Sequence, residues 1–295
     1  MNWKNVFLMG VLAAFPASMM AQANILNAKK PEEVGVRTEA QKAVDNDAPL
    51  AYGYVDDRDI LWSKTLWETI DLDERVNFPL YYPTDTIDIG SDRRSLYHVL
   101  ITNLKSGKLE AYADSYFTEK RTYKDLSAAL SKRDTLDYGY EQVNAGEQVS
   151  AEFITQKDIT SSQIEEYRIK GIWYFDKRQG ELKYRLLGIA PVAPDVRAID
   201  NDNADKVELF WVWYPDARDI LHEAKVFNQR NSAQPISFDM LLNSRRFDAV
   251  IYKEDNVQGD REVSDYITDN ALFQLLEANR IKEVIRDKEQ DMWAY

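Results

Sequence analysis

The chain has 295 residues, no cysteine, 44% hydrophobic and 12% aromatic residues, and a formal net charge of −13 at pH 7. This excludes a disulfide-stapled module and an anchor lipidated on cysteine, and it argues against nucleic acid, whose phosphates need clustered Lys and Arg. It leaves ample apolar material for one large domain or two smaller ones.

Residues 1–23 read as a secretory signal. Lys4 supplies the positive end, Val6 to Phe15 is almost wholly apolar, and Ala21-Gln22-Ala23 offers a small-residue cleavage site. Cleavage falls after Ala21 or after Ala23. The apolar run is too short to span a bilayer, so a soluble, exported product is expected. Residues 24–53 are polar and sustain no apolar period, which predicts an extended or disordered arm. A plain linker and an arm that orders on a partner share this composition.

The spacing of Ile60, Leu61, Lys64, Trp67 and Ile70 predicts a helix over 56–73, capped by Asp56 or Asp57. Pro79 and Pro83 should end regular structure after it. A second helix is expected over 95–104, stopped at Ser106-Gly107, then a strand over 109–116 and a helix over 123–130. Residues 164–175 alternate in part, 176–180 form a turn with Gly near its end, and 181–190 return as a second strand. Residues 207–214 form a third, apolar on both faces and so expected to be central and covered on each side. Helices follow over 216–228, over 237–243 with Ser237 as cap, and over 269–292, with a short strand over 247–252.

Two phrases recur. Arg58-Asp59-Ile60-Leu61 returns as Arg218-Asp219-Ile220-Leu221, and 104–111 (LKSGKLEA) matches 242–249 (LNSRRFDA). Ordered matches suggest a duplicated helical unit. The expected fold class is therefore α+β: an antiparallel meander over 151–214 flanked by helical units over 54–150 and 215–295, within one domain over 54–295. The first turn of a helix favours Asp59 and Asp219 but offers nothing to Arg58 and Arg218. Each Arg is expected to fork onto a carboxylate of its own or a neighbouring subunit, so both are candidate interface residues.

No catalytic constellation emerges. His98 and His222 each stand alone among apolar neighbours on an expected helix, a pattern more often structural than catalytic. Asp200 to Asp205 resembles the start of a calcium loop, yet Asp205 stands where Gly is needed and Trp211 where Glu is needed. There is no Gly-x-Ser-x-Gly, dinucleotide loop or Walker loop. The expectation is no enzyme, no cofactor and no metal. The tryptophans are first of all core material. Trp293 and Tyr295, near the C-terminus, are the further candidate interface residues. The aromatic content keeps a periplasmic peptidoglycan- or glycan-binding module as the alternative.

Three stretches carry a resemblance. They are 170–178 (KGIWYFDKR) with 184–194 (YRLLGIAPVAP), 209–215 (LFWVWYP) followed by Arg218-Asp219-Ile220-Leu221, and 74–80 (ERVNFPL). Together they resemble the GldN/PorN family of gliding-motility and type IX secretion proteins of Bacteroidota, from about Tyr54 onward. The resemblance implies a non-enzymatic periplasmic ring subunit that self-associates. It also implies association with the outer membrane through a lipoprotein partner of the PorK/GldK type. The ring would meet an inner-membrane motor protein of the PorM/GldM type.

Overall fold

The computed structural model describes residues 43–85, 93–135, 151–198, 204–229 and 234–293, with residues 30, 32, 39, 87, 142 and 231 besides. The signal reading over 1–23, Asp200 to Asn203 and Tyr295 lie outside the described residues. The chain forms two compact units, Met1–Ala48 and Pro49–Tyr295. All elements below belong to the second.

A single 3₁₀ turn over Asp57–Asp59 leads in, its start capped by Asp56, whose carboxylate accepts from the Arg58 N–H at 3.1 Å. Strand β1 (Ile60–Asp71) follows where a helix was expected. The short helix α1 (Phe78–Tyr81) holds Pro79 in its first turn, where a missing N–H costs nothing. Helix α2 (Leu96–Lys105) starts at Ser95, which accepts from His98 N–H at 3.2 Å, and stops at Gly107 with φ 74°. Strands β2 (Ala111–Tyr112) and β3 (Lys120–Arg121) bracket a loop, so the strand expected over 109–116 is only two residues long. Helix α3 (Tyr123–Leu130) opens with a reciprocal Thr122/Asp125 capping box.

Strands β4 (Ser131–Thr135) and β5 (Ile154–Asp158) pair as a separate small sheet. Then come β6 (Glu166–Asp176) and β7 (Glu181–Pro194), the predicted hairpin, with Gly180 left-handed at φ 65° in its turn. The third strand of the meander breaks into β8 (Lys206–Glu208) and β9 (Trp211–Trp213), both antiparallel to β7. Helix α4 (Tyr214–Glu223) begins two residues before the expected start, because Pro215 suits its first turn. It also ends well before residue 228, at β10 (Lys225–Val226), which pairs with β11 (Ile236–Ser237). Helix α5 (Phe238–Asn243) is capped by Ser237, which accepts from Met240 N–H at 3.1 Å. Strand β12 (Val250–Glu254), helix α6 (Val263–Tyr266) and the long helix α7 (Ala271–Trp293) complete the chain.

The main sheet has eight strands in the order β12-β1-β6-β7-β9-β2-β3, with β8 also on β7. Every pairing in it is antiparallel, so the fold is α+β with an antiparallel sheet. Its centre is β7 rather than the Trp-rich strand.

Register divides the side chains between two faces. Ile70 of β1, Tyr167 and Ile169 of β6, and Leu186 and Ile189 of β7 pack with α2, α4 and α5 in the largest core. Further along β1, Leu66 packs with Ile251, Ala278, Ile281 and Ile285, which seats the middle of α7. The opposite face carries Trp67, Ala190 and Trp211, with Phe117 of the 113–119 loop laid against them.

The repeated phrases do not share one structure. Arg58 to Leu61 is a 3₁₀ turn entering a strand, whereas Arg218 to Leu221 lies within a helix. Tertiary context has overridden a shared local sequence. The second phrase keeps its role better: α2 and α5 each stop at a left-handed residue, Gly107 at φ 74° and Arg245 at φ 48°.

One glycine is essential to the covered face. Gly188 lies under the tip of the Phe117 ring, and Phe117 holds φ 60°, uncommon for a non-glycine residue. A methyl group at 188 would occupy the place of the ring. Gly188→Ala is therefore expected to cost about 1–3 kcal/mol through overpacking. The check is a thermal melt; a midpoint equal to that of the parent would show that the loop yields freely.

Candidate functional site

Arg218 shows how the sequence builds the first feature. Tyr214, Ala217, Arg218 and Leu221 share the buried side of α4, so a guanidinium lies on an apolar stripe. A buried charge requires a partner. Asp239, in the first turn of α5 and also buried, supplies it. Arg218 donates from Nε to Oδ1 at 2.9 Å and from Nη2 to Oδ2 at 3.1 Å. The same carboxylate accepts from the Tyr214 hydroxyl at 2.9 Å and from Asn243 Nδ2 at 2.7 Å. Burial, with Asp239 beside it, pushes the Tyr214 phenol far above its ordinary range, so it stays a donor.

Residues 49–54 cross this network. Arg218 Nη2 donates to the Leu50 carbonyl at 2.6 Å, and Arg185 Nη2 donates to the Gly53 carbonyl at 2.9 Å. The Tyr52 hydroxyl donates to Asn243 Oδ1 at 2.7 Å. The Tyr52 ring has the guanidinium of Arg218 at 4.0 Å and that of Arg185 at 4.8 Å from its centroid. Such contacts suit the quadrupole of an aromatic ring.

These contacts tie the end of the segment expected as an extended or disordered arm, residues 24–53, into the second unit. Deleting residues 1–48 is expected to leave the melting temperature of the second unit unchanged. Deleting 1–54 also removes the Tyr52 ring and three hydrogen bonds, at about 1–3 kcal/mol. Equal melting of the two deletions would contradict this.

A second buried pair lies on the core face of the sheet. Glu68 of β1 is 2% exposed and accepts from Arg245 at 2.9 and 2.8 Å. Arg245 also covers the Tyr184 ring at 4.3 Å. A pocket of about 300 Å³ opens beside them, walled by Leu66, Trp173, Leu182 and Ile285. Within it the Glu68 carboxylate and the Arg245 guanidinium are already paired to each other, and Lys282, Arg286 and Glu289 line the rest.

The third feature is apolar. Leu272, Phe273, Leu275 and Leu276 at the start of α7 are exposed, with Phe273 at 56%, and Tyr266 of α6 is exposed as well. A contiguous exposed patch of this kind marks an interaction surface.

The sequence candidates are placed as follows. Arg218 sits at the centre of the first network. Arg58 is exposed on the 3₁₀ turn and has no carboxylate partner among the described residues; its neighbour Asp59 meets Arg178 at 3.6 Å instead. Trp293 is the last residue of α7. Asp239, Tyr52, Asn243, Arg185, Glu68 and Arg245 were missed. The available signal was Arg218 itself, a charge on an apolar helix face.

His98 on α2 is partly buried, and desolvation followed by the charges of Arg94 and Lys105 pulls its pKa below the usual value. It is mostly neutral at pH 7 and suits a packing role. Among the described residues, no group of three or more His, Cys, Asp or Glu side chains could hold a metal ion.

A family model described as gliding motility associated protein GldN matches residues 55–294. No match to a curated protein is found.

Proposed function

Since the chain belongs to the GldN family of gliding motility associated proteins, we propose that it is a non-enzymatic structural subunit of the periplasmic ring of a type IX secretion and gliding machine. The observation that carries this reading is the extent of the match, which takes in nearly the whole second unit. The site chemistry agrees with it. The buried carboxylates Glu68 and Asp239 are each committed to an Arg partner, which joins α4 to α5 and β1 to Arg245, two residues past the end of α5.

No helix among the described residues is long and apolar enough to cross a membrane. In this reading the outer-membrane anchor belongs to a lipoprotein of the PorK/GldK type. The periplasmic part of a PorM/GldM-type motor protein meets the ring that copies of this chain form. The exposed start of α7 is the kind of surface such an assembly covers.

Copurification from membranes tests the reading. The chain should be recovered with the lipoprotein in a large complex. A free monomer in cells that contain the lipoprotein would count against it. Retention on peptidoglycan without any protein partner would favour the glycan-binding alternative.

A further inference from the structure

The seat of residues 49–54 has the character of a receptor. Asp239 fixes Arg218 and Asn243 through bonds in which the segment takes no part. Arg185 is likewise oriented by the Tyr174 hydroxyl at 3.3 Å. The preset groups read an extended peptide. Two guanidiniums take carbonyls three residues apart, and an aromatic side chain between them is clasped by both and capped at its hydroxyl.

The segment itself is loosely tied. Residues 49–56 join no helix or sheet, so no backbone ladder holds them. Gly53 has open space about its Cα, a place where the chain can turn. Leu50 and Tyr54, on either side of the clasped Tyr52, are 85% and 82% exposed. The single chain thus leaves the apolar side chains of its strap in water. A second body lying along the strap would cover them.

We propose that this socket is a peptide-binding site whose ligand in the assembled protein is the 49–54 strap of a second copy, each subunit lending its strap to the next. The occupant fits because it is the same segment that fills the site within one chain. A strap passed in one direction makes a head-to-tail contact, the type that closes into a ring when the rotation allows. The exchange rests on the ring reading above for its self-association.

The absence of native cysteine permits a direct test. One tagged full-length copy carries Leu50→Cys on the strap and an untagged full-length copy carries Asp219→Cys, next to Arg218. The two are produced together and joined with a short bis-maleimide. A single chain bearing both substitutions shows that the thiols are within reach. The expected result is a crosslinked pair of tagged and untagged copies, falling about tenfold when Tyr52→Ala is added to the strap donor, as loss of its ring and hydrogen-bond contacts implies.

Crosslinks confined to the doubly substituted chain, in a preparation that contains the lipoprotein, would overturn the exchange and leave the ring reading intact. Where the lipoprotein does not copurify, the same mixing is done with purified chain. Mixed pairs there support the exchange although the ring reading falls, and their absence overturns it.

Discussion

Trp211→Ala is expected to lower the stability of the folded chain by about 3–5 kcal/mol, the range for truncating a buried aromatic side chain. The Trp211 ring is 0% exposed. It packs with Trp67 and Ala190 and meets Phe117 edge-on at 6.3 Å. Its Nε1 donates to Glu208 Oε2 at 2.6 Å, and Glu208 also accepts from Arg168 at 2.6 Å. Truncation therefore leaves a cavity and removes one partner of a carboxylate. Trp211→Phe keeps most of the volume and should lose chiefly the hydrogen bond, about 1 kcal/mol. Denaturant unfolding of both variants is the check. A midpoint for Trp211→Ala close to that of the parent would show that β9 is not the covered strand described here.

Asp239→Ala should be comparably damaging, at about 3–5 kcal/mol, because it leaves a buried charge uncompensated. The Arg218 side chain is only 10% exposed, and the same change takes the carboxylate away from the Tyr214 hydroxyl and Asn243 Nδ2, which keep each other and the residue 239 carbonyl as partners. Arg218→Lys separates charge from geometry. Lysine keeps the cation but cannot fork, so it should fall between the parent and Asp239→Ala. The comparison is made by melting and by recovery of the assembled complex. If Arg218→Lys behaves as the parent in both, the fork is not what seats α4 on α5.

The elements legible in sequence were those whose signals are local. Ser237 announced its helix by capping, and Gly180 announced the β6–β7 turn. Strand β1 was misread because two polar residues, Lys64 and Glu68, fall on the face it packs, which hid the period of two. Glu68 can lie there only because Arg245, 177 positions away, meets it. No window along the chain contains that information. With alternation masked, Ile60, Trp67 and Ile70 fell by chance at helical spacing. Arg218 was singled out from a repeat whose two copies prove structurally unlike. Its fork is present all the same, and Tyr52 and Asp239 were invisible because their meeting depends on the folded path of the chain.

The sheet order also constrains the sequence of events by which the molecule forms. Strand β1 lies between β6 and β12, so its nearest partners in the chain are residues 166–176 and its others are 250–254. A polypeptide emerging from its N-terminus carries β1 unpaired until residues 166–176 have followed, and with one edge bare until 250–254 arrive. Such non-local pairing places folding among the slower small-protein processes, about milliseconds to seconds. It also makes the last fifth of the chain indispensable to the first strand. A product terminated before Val250 would keep most of its helices yet present the outer edge of β1 bare, an open template for aggregation. Late premature stops should thus yield insoluble protein in place of a shortened but working one.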